Sequence, residues 1–415
     1  MTVVSDLKLA SLDLTSGELA GDTYHQRLAE VASQGQVSWL ASSPLAYIVL
    51  DHESAEFFLR SRSTAFPGRE IADLFGVTSG PLREQIDTNI LNQQGDRHRR
   101  LRALVGGSFT PRAADRWRPV MRAFLGRLWS AVEARHSCDF VAAVARPYPA
   151  LTIAAVLGAP EADAPQLQQW STLVQRQFDI QALGSQLPEL ERAATELYDY
   201  VEQLLAMRAR ELLARGDGPL EPPEVGADLL TALLAAEEAG DRLSHEECVY
   251  LVLNVIAGGV DTTQAQLSHA LRMFAARPEQ WETLRGDLAL VPRAVDEVLR
   301  FEPITPFTAR ICLEQVEHRG VTFPAGTIVA VCAERGNREQ PGGEEFDIAA
   351  VRDGRLLTFG AGAHFCLGAN LARAELEEAL AFLAPRMPGL EPAGPAVIGN
   401  LEGIYGVDSL PLRWS

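Results

Sequence analysis

Cysteine is scarce. The 415 residues hold five, Cys138, Cys248, Cys312, Cys332 and Cys366, and no two of them stand at CxxC spacing. An odd, scattered set excludes a disulfide framework and a zinc-type cluster, so a cysteine with a task performs it alone. Long apolar runs are missing too. None approaches the roughly 18 residues needed to span a bilayer, and charges break every apolar run of the opening MTVVSDLKLASLDLTSGELAGD. That stretch reads as neither signal peptide nor membrane anchor, and the expected location is cytoplasmic. Positive charge is in short supply: 37 Lys and Arg face 55 Asp and Glu, for a net charge of −18. Such a balance favours solubility and argues against nucleic acid as the main partner. Internal repeats and low-complexity tracts are absent as well.

What is present is an ordinary globular composition, 47% hydrophobic and 22% charged. VSWLA and AYIVL (37–41 and 46–50) alternate as a hairpin should. ESAEFFLRS, RWRPVMRAFLGRLWSAVEAR and ERAATELYDYVEQLLAMRARELLAR then place apolar residues at three- and four-residue spacing, which predicts helices. The stretch 215–228 reads as a Pro/Gly/acid loop too short for a domain boundary. The longest predicted helix starts at Ser244, an N-cap with Glu247 at the capping-box position, and ends near Arg277. At 1.5 Å per residue its ~34 residues would span roughly 50 Å. Its centre, NVIAGGVDTTQ, suits a helix poorly. Strand-like pieces return after Pro303, and GIYGVDSLPLRW reads as a C-terminal hairpin. The expected class is mainly α with small β-sheets, as one unit over residues 1–415.

FGAGAHFCLG, residues 359–368, sets Cys366 among glycines. Gly360, Gly362 and Gly368 remove side chains on both sides of it and let backbone approach something closely. ANLARAELEEALAFL follows and is strongly helical, so Cys366 precedes a helix N-terminus, where the dipole and free N–H groups favour a thiolate. Haem iron accepts such a soft ligand. The competing reading is an inert cysteine buried in a turn.

This loop resembles the haem-binding loop of the cytochrome P450 superfamily, F-G-x-G-x-[H/R]-x-C-x-G. The resemblance implies the P450 fold, with haem b between the long oxygen-activation helix and the cysteine-loop helix. It makes Cys366 the iron ligand, His364 a propionate contact, and Phe359 a proximal packing residue. GGVDTT (258–263) is similar to the oxygen-activation motif: Gly258 and Gly259 leave room, Thr262 hydrogen-bonds dioxygen, and Asp261 belongs to the proton route. EVLR supplies the ExxR pair Glu297 and Arg300, a structural lock whose third member would be Arg338 or Arg352, since Glu345 occupies the place an arginine often takes. His98 and Arg102 in HRRLR, four apart on one helix face, and Arg310 after PITPFTA match propionate-binding positions.

By the same resemblance the chain is a monooxygenase without a fused reductase domain. It inserts one atom of O2 into a hydrophobic molecule, such as a terpenoid, steroid, polyketide or peptide of natural-product metabolism. Electrons come indirectly from NAD(P)H through a separate ferredoxin or flavodoxin and its reductase. Between Arg97 and Arg127 stand nine arginines and one acid, Asp115, a basic island suited to docking an acidic carrier. The family's pocket segments map to Ile90, Leu91, Phe178, Val255, Thr305, Phe307, Ile404 and Tyr405. Two alternatives stay open: a haem-thiolate enzyme that uses peroxide or performs a non-oxygenating step, and a non-catalytic haem or ligand carrier. The acid–alcohol pair 261–262 counts against both.

Overall fold

The computed structural model describes residues 2–14, 19, 21–34, 37–214, 228–238, 243–352, 354–399 and 403–415. The loop expected at 215–228 falls outside these except for Asp228. Eleven helices position the site: α1 (Gly21–Gln34), α2 (His52–Arg60), α3 (Gly95–Gly106), α4 (Arg118–Ser130), α5 (Pro147–Leu157), α6 (Ala164–Gln175), α7 (Leu187–Ala214), α8 (His245–Gly259), α9 (Asp261–Ala275), α10 (Val291–Phe301) and α11 (Ala369–Leu383). In α7 the buried positions Leu190, Ala193, Ala194, Leu197, Val201, Leu204 and Leu205 recur every three or four residues. That stripe packs on α6 and α8.

The expected 34-residue helix is two. Ser244 caps α8 in a full capping box with Glu247, as its sequence predicts. The helix then breaks at Val260 (φ −95°, ψ −66°). Thr262 Oγ1 donates back to the Gly258 carbonyl at 2.7 Å, a bond that loosens a helix at this point. The two glycines before the break have different reasons. A Cβ on Gly259 would stand 2.4 Å from Ile153 Cδ1, so glycine lets α5 press close, whereas a Cβ on Gly258 would meet nothing within 4 Å.

The larger sheet has five strands in the order β1-β2-β5-β4-β3: β1 (Leu40–Ser42), β2 (Tyr47–Val49), β3 (Thr64–Ala65), β4 (Phe307–Cys312) and β5 (Ile328–Cys332). β1 and β2 form the predicted hairpin, Leu40 opposite Val49, and β4 pairs antiparallel with β5. The C-terminal segment corrects its sequence reading. Val407–Ser409 pairs with Val397–Ile398, and Pro411–Arg413 lies between Glu391–Pro392 and Ser137–Asp139. Its two strands therefore belong to different sheets. One apolar cluster runs from α3 to these last strands, and α11 crosses it against α4, α9 and α10. Among the described residues no helix is long and apolar enough to cross a membrane.

Candidate active site

The cysteine loop is held by backbone geometry. Gly360 and Gly362 adopt φ of +70° and +73°, the left-handed region that glycine enters without strain. A Cβ on Gly362 would also stand 3.0 Å from the Leu59 carbonyl oxygen. Cys366 N–H donates to the Phe359 carbonyl at 2.8 Å and closes the loop. Arg102 of α3 donates to the Phe365 carbonyl, and the Arg373 guanidinium lies 5.4 Å over the Phe359 ring. Thr358 Oγ1 donates to the Leu299 carbonyl at 2.6 Å, and Leu357 N–H to Asn337 Oδ1 at 2.8 Å. The loop is thereby tied to α10.

All five cysteines are free. The Cys366 side chain is exposed, yet burial raises its pKa, which describes a sulfur surrounded by protein and open on one side. The N–H groups of Gly368 and Ala369 and the Arg102 charge pull the other way but do not overcome burial. The helix N-terminus alone therefore does not make the thiolate that its sequence position suggests. A coordinated metal ion, which deprotonates a thiol outright, would complete the task.

Four basic groups converge beside this loop. Burial lowers the pKa of His364 to about 3, helped by the charges of His98, Arg310 and Arg102. The His364 and His98 rings are 4.2 Å apart. Burial also lowers the pKa of His98, with Arg102 contributing. Arg310, on β4, is 5% exposed, and burial pushes its pKa down to about 10. Among the described residues its guanidinium makes one hydrogen bond, to the carbonyl of its neighbour Ala309 at 2.9 Å, and no carboxylate pairs with it. A buried guanidinium without a counter-ion is costly unless an anion completes it. Two carboxylates of a haem would complete this cluster, the single open sulfur would ligate its iron, and the bare helix at Gly258 leaves it room. These residues fit the group.

On α9, burial raises the pKa of Asp261, while Thr172 of α6 donates to its Oδ1 at 3.1 Å. Thr263 Oγ1 lies 3.5 Å from Glu375 Oε2 of α11. Motif matching missed Glu375. It is 1% exposed, its carboxyl meets Thr152 and Thr263 among the described residues, and burial pushes its pKa well up; its signal was an acid on the apolar stripe of α11. The folded chain keeps this carboxyl protonated, while the unfolded chain ionises it above the usual 4.5. Stability therefore falls as pH rises from that value, by about 1.4 kcal/mol for each unit over which only the unfolded chain is charged. Glu375→Gln is expected to match the wild type near pH 4 and exceed it at pH 8 in chemical denaturation. Parallel pH profiles would contradict a neutral Glu375.

The ExxR lock is complete. Arg300 donates to Glu297 through Nε (2.7 Å) and Nη2 (2.8 Å). Arg352 is the third member, its Nε 3.1 Å from Glu297 Oε2. Arg338 instead pairs with Glu334 at 3.0 Å and donates to the Phe301 carbonyl.

The pocket residues divide. Ile90, Leu91, Phe178, Thr305, Phe307 and Ile404 are half-buried, and Phe178 meets Phe66 edge-on at 5.8 Å. Val255 and Tyr405 are core residues instead. Val255 is buried, and Tyr405 is fully buried with its ring stacked 4.6 Å from His269. The basic island also changes meaning in three dimensions. Arg97 and Arg100 pair with Glu247, Arg118 and Arg122 with Glu378, Arg127 with Glu161 and Arg99 with Asp96. Six of its nine arginines are thus neutralised, chiefly by acids remote in sequence.

A lone open cysteine before a helix, a kinked helix bearing an acid and an alcohol, and a ring of uncompensated bases together have the chemistry that a haem-thiolate site requires. The family model described as Cytochrome P450 matches residues 20–383. Luteothin monooxygenase of Streptomyces thioluteus is 33% identical over 98% of this chain and 96% of its own length. Mycinamicin IV hydroxylase/epoxidase of Micromonospora griseorubida is 32% identical over 80% of this chain and 77% of its own. Among solved structures, CalO2 superposes with a TM-score of 0.86 at 29% identity, covering 98% of this chain and 99% of the other. The chain belongs to the cytochrome P450 family, and it is an oxidoreductase of the haem-dependent, O2-using kind that this family comprises.

Proposed function

We propose that residues 1–415 act as one haem domain that oxygenates a hydrophobic natural-product-like molecule, inserting one atom of O2. Cys366 together with the uncompensated cluster His98, Arg102, Arg310 and His364 carries this reading. Bound between them, haem would supply redox chemistry, with an electron-rich sulfur ligand favouring O–O cleavage.

The chain's own groups manage protons and position. Asp261, raised by burial, holds a proton closer to neutral pH than an exposed aspartate does, and the Thr172 hydroxyl fixes its orientation. Thr262, bonded to the Gly258 carbonyl, stands where the helix opens and can turn its hydroxyl toward that space. Ile90, Leu91, Phe178, Thr305, Phe307 and Ile404 form an apolar wall that excludes water. Electrons come from NAD(P)H through a separate reductase and a ferredoxin or flavodoxin. With most of the Arg97–Arg127 island already paired, the acidic carrier docks over the neighbouring cleft. That cleft has a volume of about 650 Å³ and includes Arg293, Arg355, Phe359 and Phe365 in its walls, together with Arg60 and Arg373, which pair with Glu56 and Asp296.

Asp261→Asn tests the proton role. With a surrogate ferredoxin and reductase and a compound that shifts the haem spin state, product formation is expected to fall about 10²-fold, with a larger solvent isotope effect. Turnover driven by peroxide should survive. An unchanged NADPH-driven rate and isotope effect, or a wild type that turns over with peroxide and not with NADPH, ferredoxin and reductase, would favour the peroxide-using alternative.

A further inference from the structure

Asn254 interrupts the apolar run LVLNVIA of α8. It stands one turn before Gly258, and residues four apart share a helix face. Asn254, Gly258 and Thr262 therefore follow one another along one side of the kinked helix. That side is bare at Gly258, where an added Cβ would meet nothing within 4 Å. The neighbouring Val255 turns into the core, which leaves Asn254 as the half-buried member of the pair.

Its amide is half engaged. Nδ2 donates to the Tyr250 carbonyl at 2.5 Å, and Oδ1 accepts the Ile90 N–H at 3.3 Å, a long contact. A carboxamide offers two donor hydrogens and two acceptor lone pairs. One of each is used among the described residues and one of each remains, beside the Ile90 turn. A polar group in an apolar wall discriminates strongly, because an analogue that cannot pair with it leaves it desolvated.

We infer that Asn254 is a specificity residue that hydrogen-bonds an oxygen of the substrate. The substrate class is then an apolar molecule bearing a carbonyl or hydroxyl oxygen about 6 Å, four residues of helix rise, from the carbon presented at Gly258. A carbonyl takes the spare N–H; a hydroxyl donates to the second lone pair of Oδ1. This assignment rests on the haem-thiolate reading.

Arylimidazoles test it without turnover, since the imidazole nitrogen ligates ferric haem and red-shifts the Soret band. The holoprotein and Asn254→Leu are titrated with 1-(3-acetylphenyl)imidazole, 1-(4-acetylphenyl)imidazole and their ethyl counterparts. In the wild type, at least one acetyl isomer is expected to bind about fivefold to tenfold tighter than its ethyl partner. In Asn254→Leu that ratio falls to one while the ethyl compound keeps its affinity. A wild-type ratio of one for both isomers overturns the inference even if the variant fails to fold. A ratio that survives in Asn254→Leu overturns it as well, and reduces Asn254 to a clip for the Ile90 turn. If no probe shifts the Soret band of haem-loaded wild type, the pocket over the iron does not admit these molecules and the assignment falls; if the purified protein takes up no haem, the haem reading falls with it.

Discussion

Glu297→Ala is expected to yield little folded protein and no haem spectrum. Glu297 is 5% exposed and accepts from Arg300 Nε and Nη2, from Arg352 Nε, and from the Asp347 N–H at 2.9 Å. Burial alone would raise its pKa, yet Arg300, the Asp347 N–H and Arg352 together hold it below the usual carboxylate range. Truncation would strand Arg300, itself 3% exposed, with only the carbonyls of Gly343 and Glu345. An uncompensated buried charge of this kind costs about 3–5 kcal/mol, a large part of the roughly 5–15 kcal/mol that holds a domain folded. The damage would reach the cysteine loop, because Thr358 hangs on the Leu299 carbonyl of the same helix. Arg352→Ala should cost less, since its side chain is 17% exposed. Thermal denaturation of the three proteins checks the order; a folded, haem-loaded Glu297→Ala would contradict it.

Cys366→Ala is expected to abolish NADPH-driven oxygenation while retaining haem. Binding would persist because the anion-seeking cluster of His98, Arg102, Arg310 and His364 is untouched, and because the loop closes through the Cys366 backbone N–H rather than the sulfur. Activity would vanish because no other cysteine can substitute. Burial pushes Cys138 and Cys312 up to about 11 and Cys248 up to about 12, and Cys332 is fully buried in a separate core cluster. Pyridine haemochrome content against turnover separates the two properties. Haem loss in proportion to activity would mean that the sulfur, not the basic cluster, is the main anchor.

The features legible in the sequence are those built from neighbours along the chain. Gly360, Gly362 and Cys366 form one turn, Ser244 and Glu247 one cap, and Glu297 and Arg300 one helix face, so local chemistry announces each. Where a partner is remote, the sequence was silent. Arg352 could not be separated from Arg338, because the meander's path decides which of them reaches Glu297. The arginines of 97–127 looked like free positive charge because Glu247 and Glu378, which pair with four of them, lie more than a hundred residues away. Val255 and Asn254 differ by one position, a rotation of about 100°, and only the packing of α8 shows which of them is taken into the core. The terminal strands failed for the same reason: period-2 alternation identifies a strand without naming its partner.

The most direct measurement is the spectrum of the reduced, CO-treated protein beside that of Cys366→Ala. A strongly red-shifted, thiolate-type Soret band in the wild type, lost in a variant that still holds haem, is the predicted result. The same band in both proteins, or its absence from haem-loaded wild type, would contradict Cys366 as the ligand on which the whole site is built.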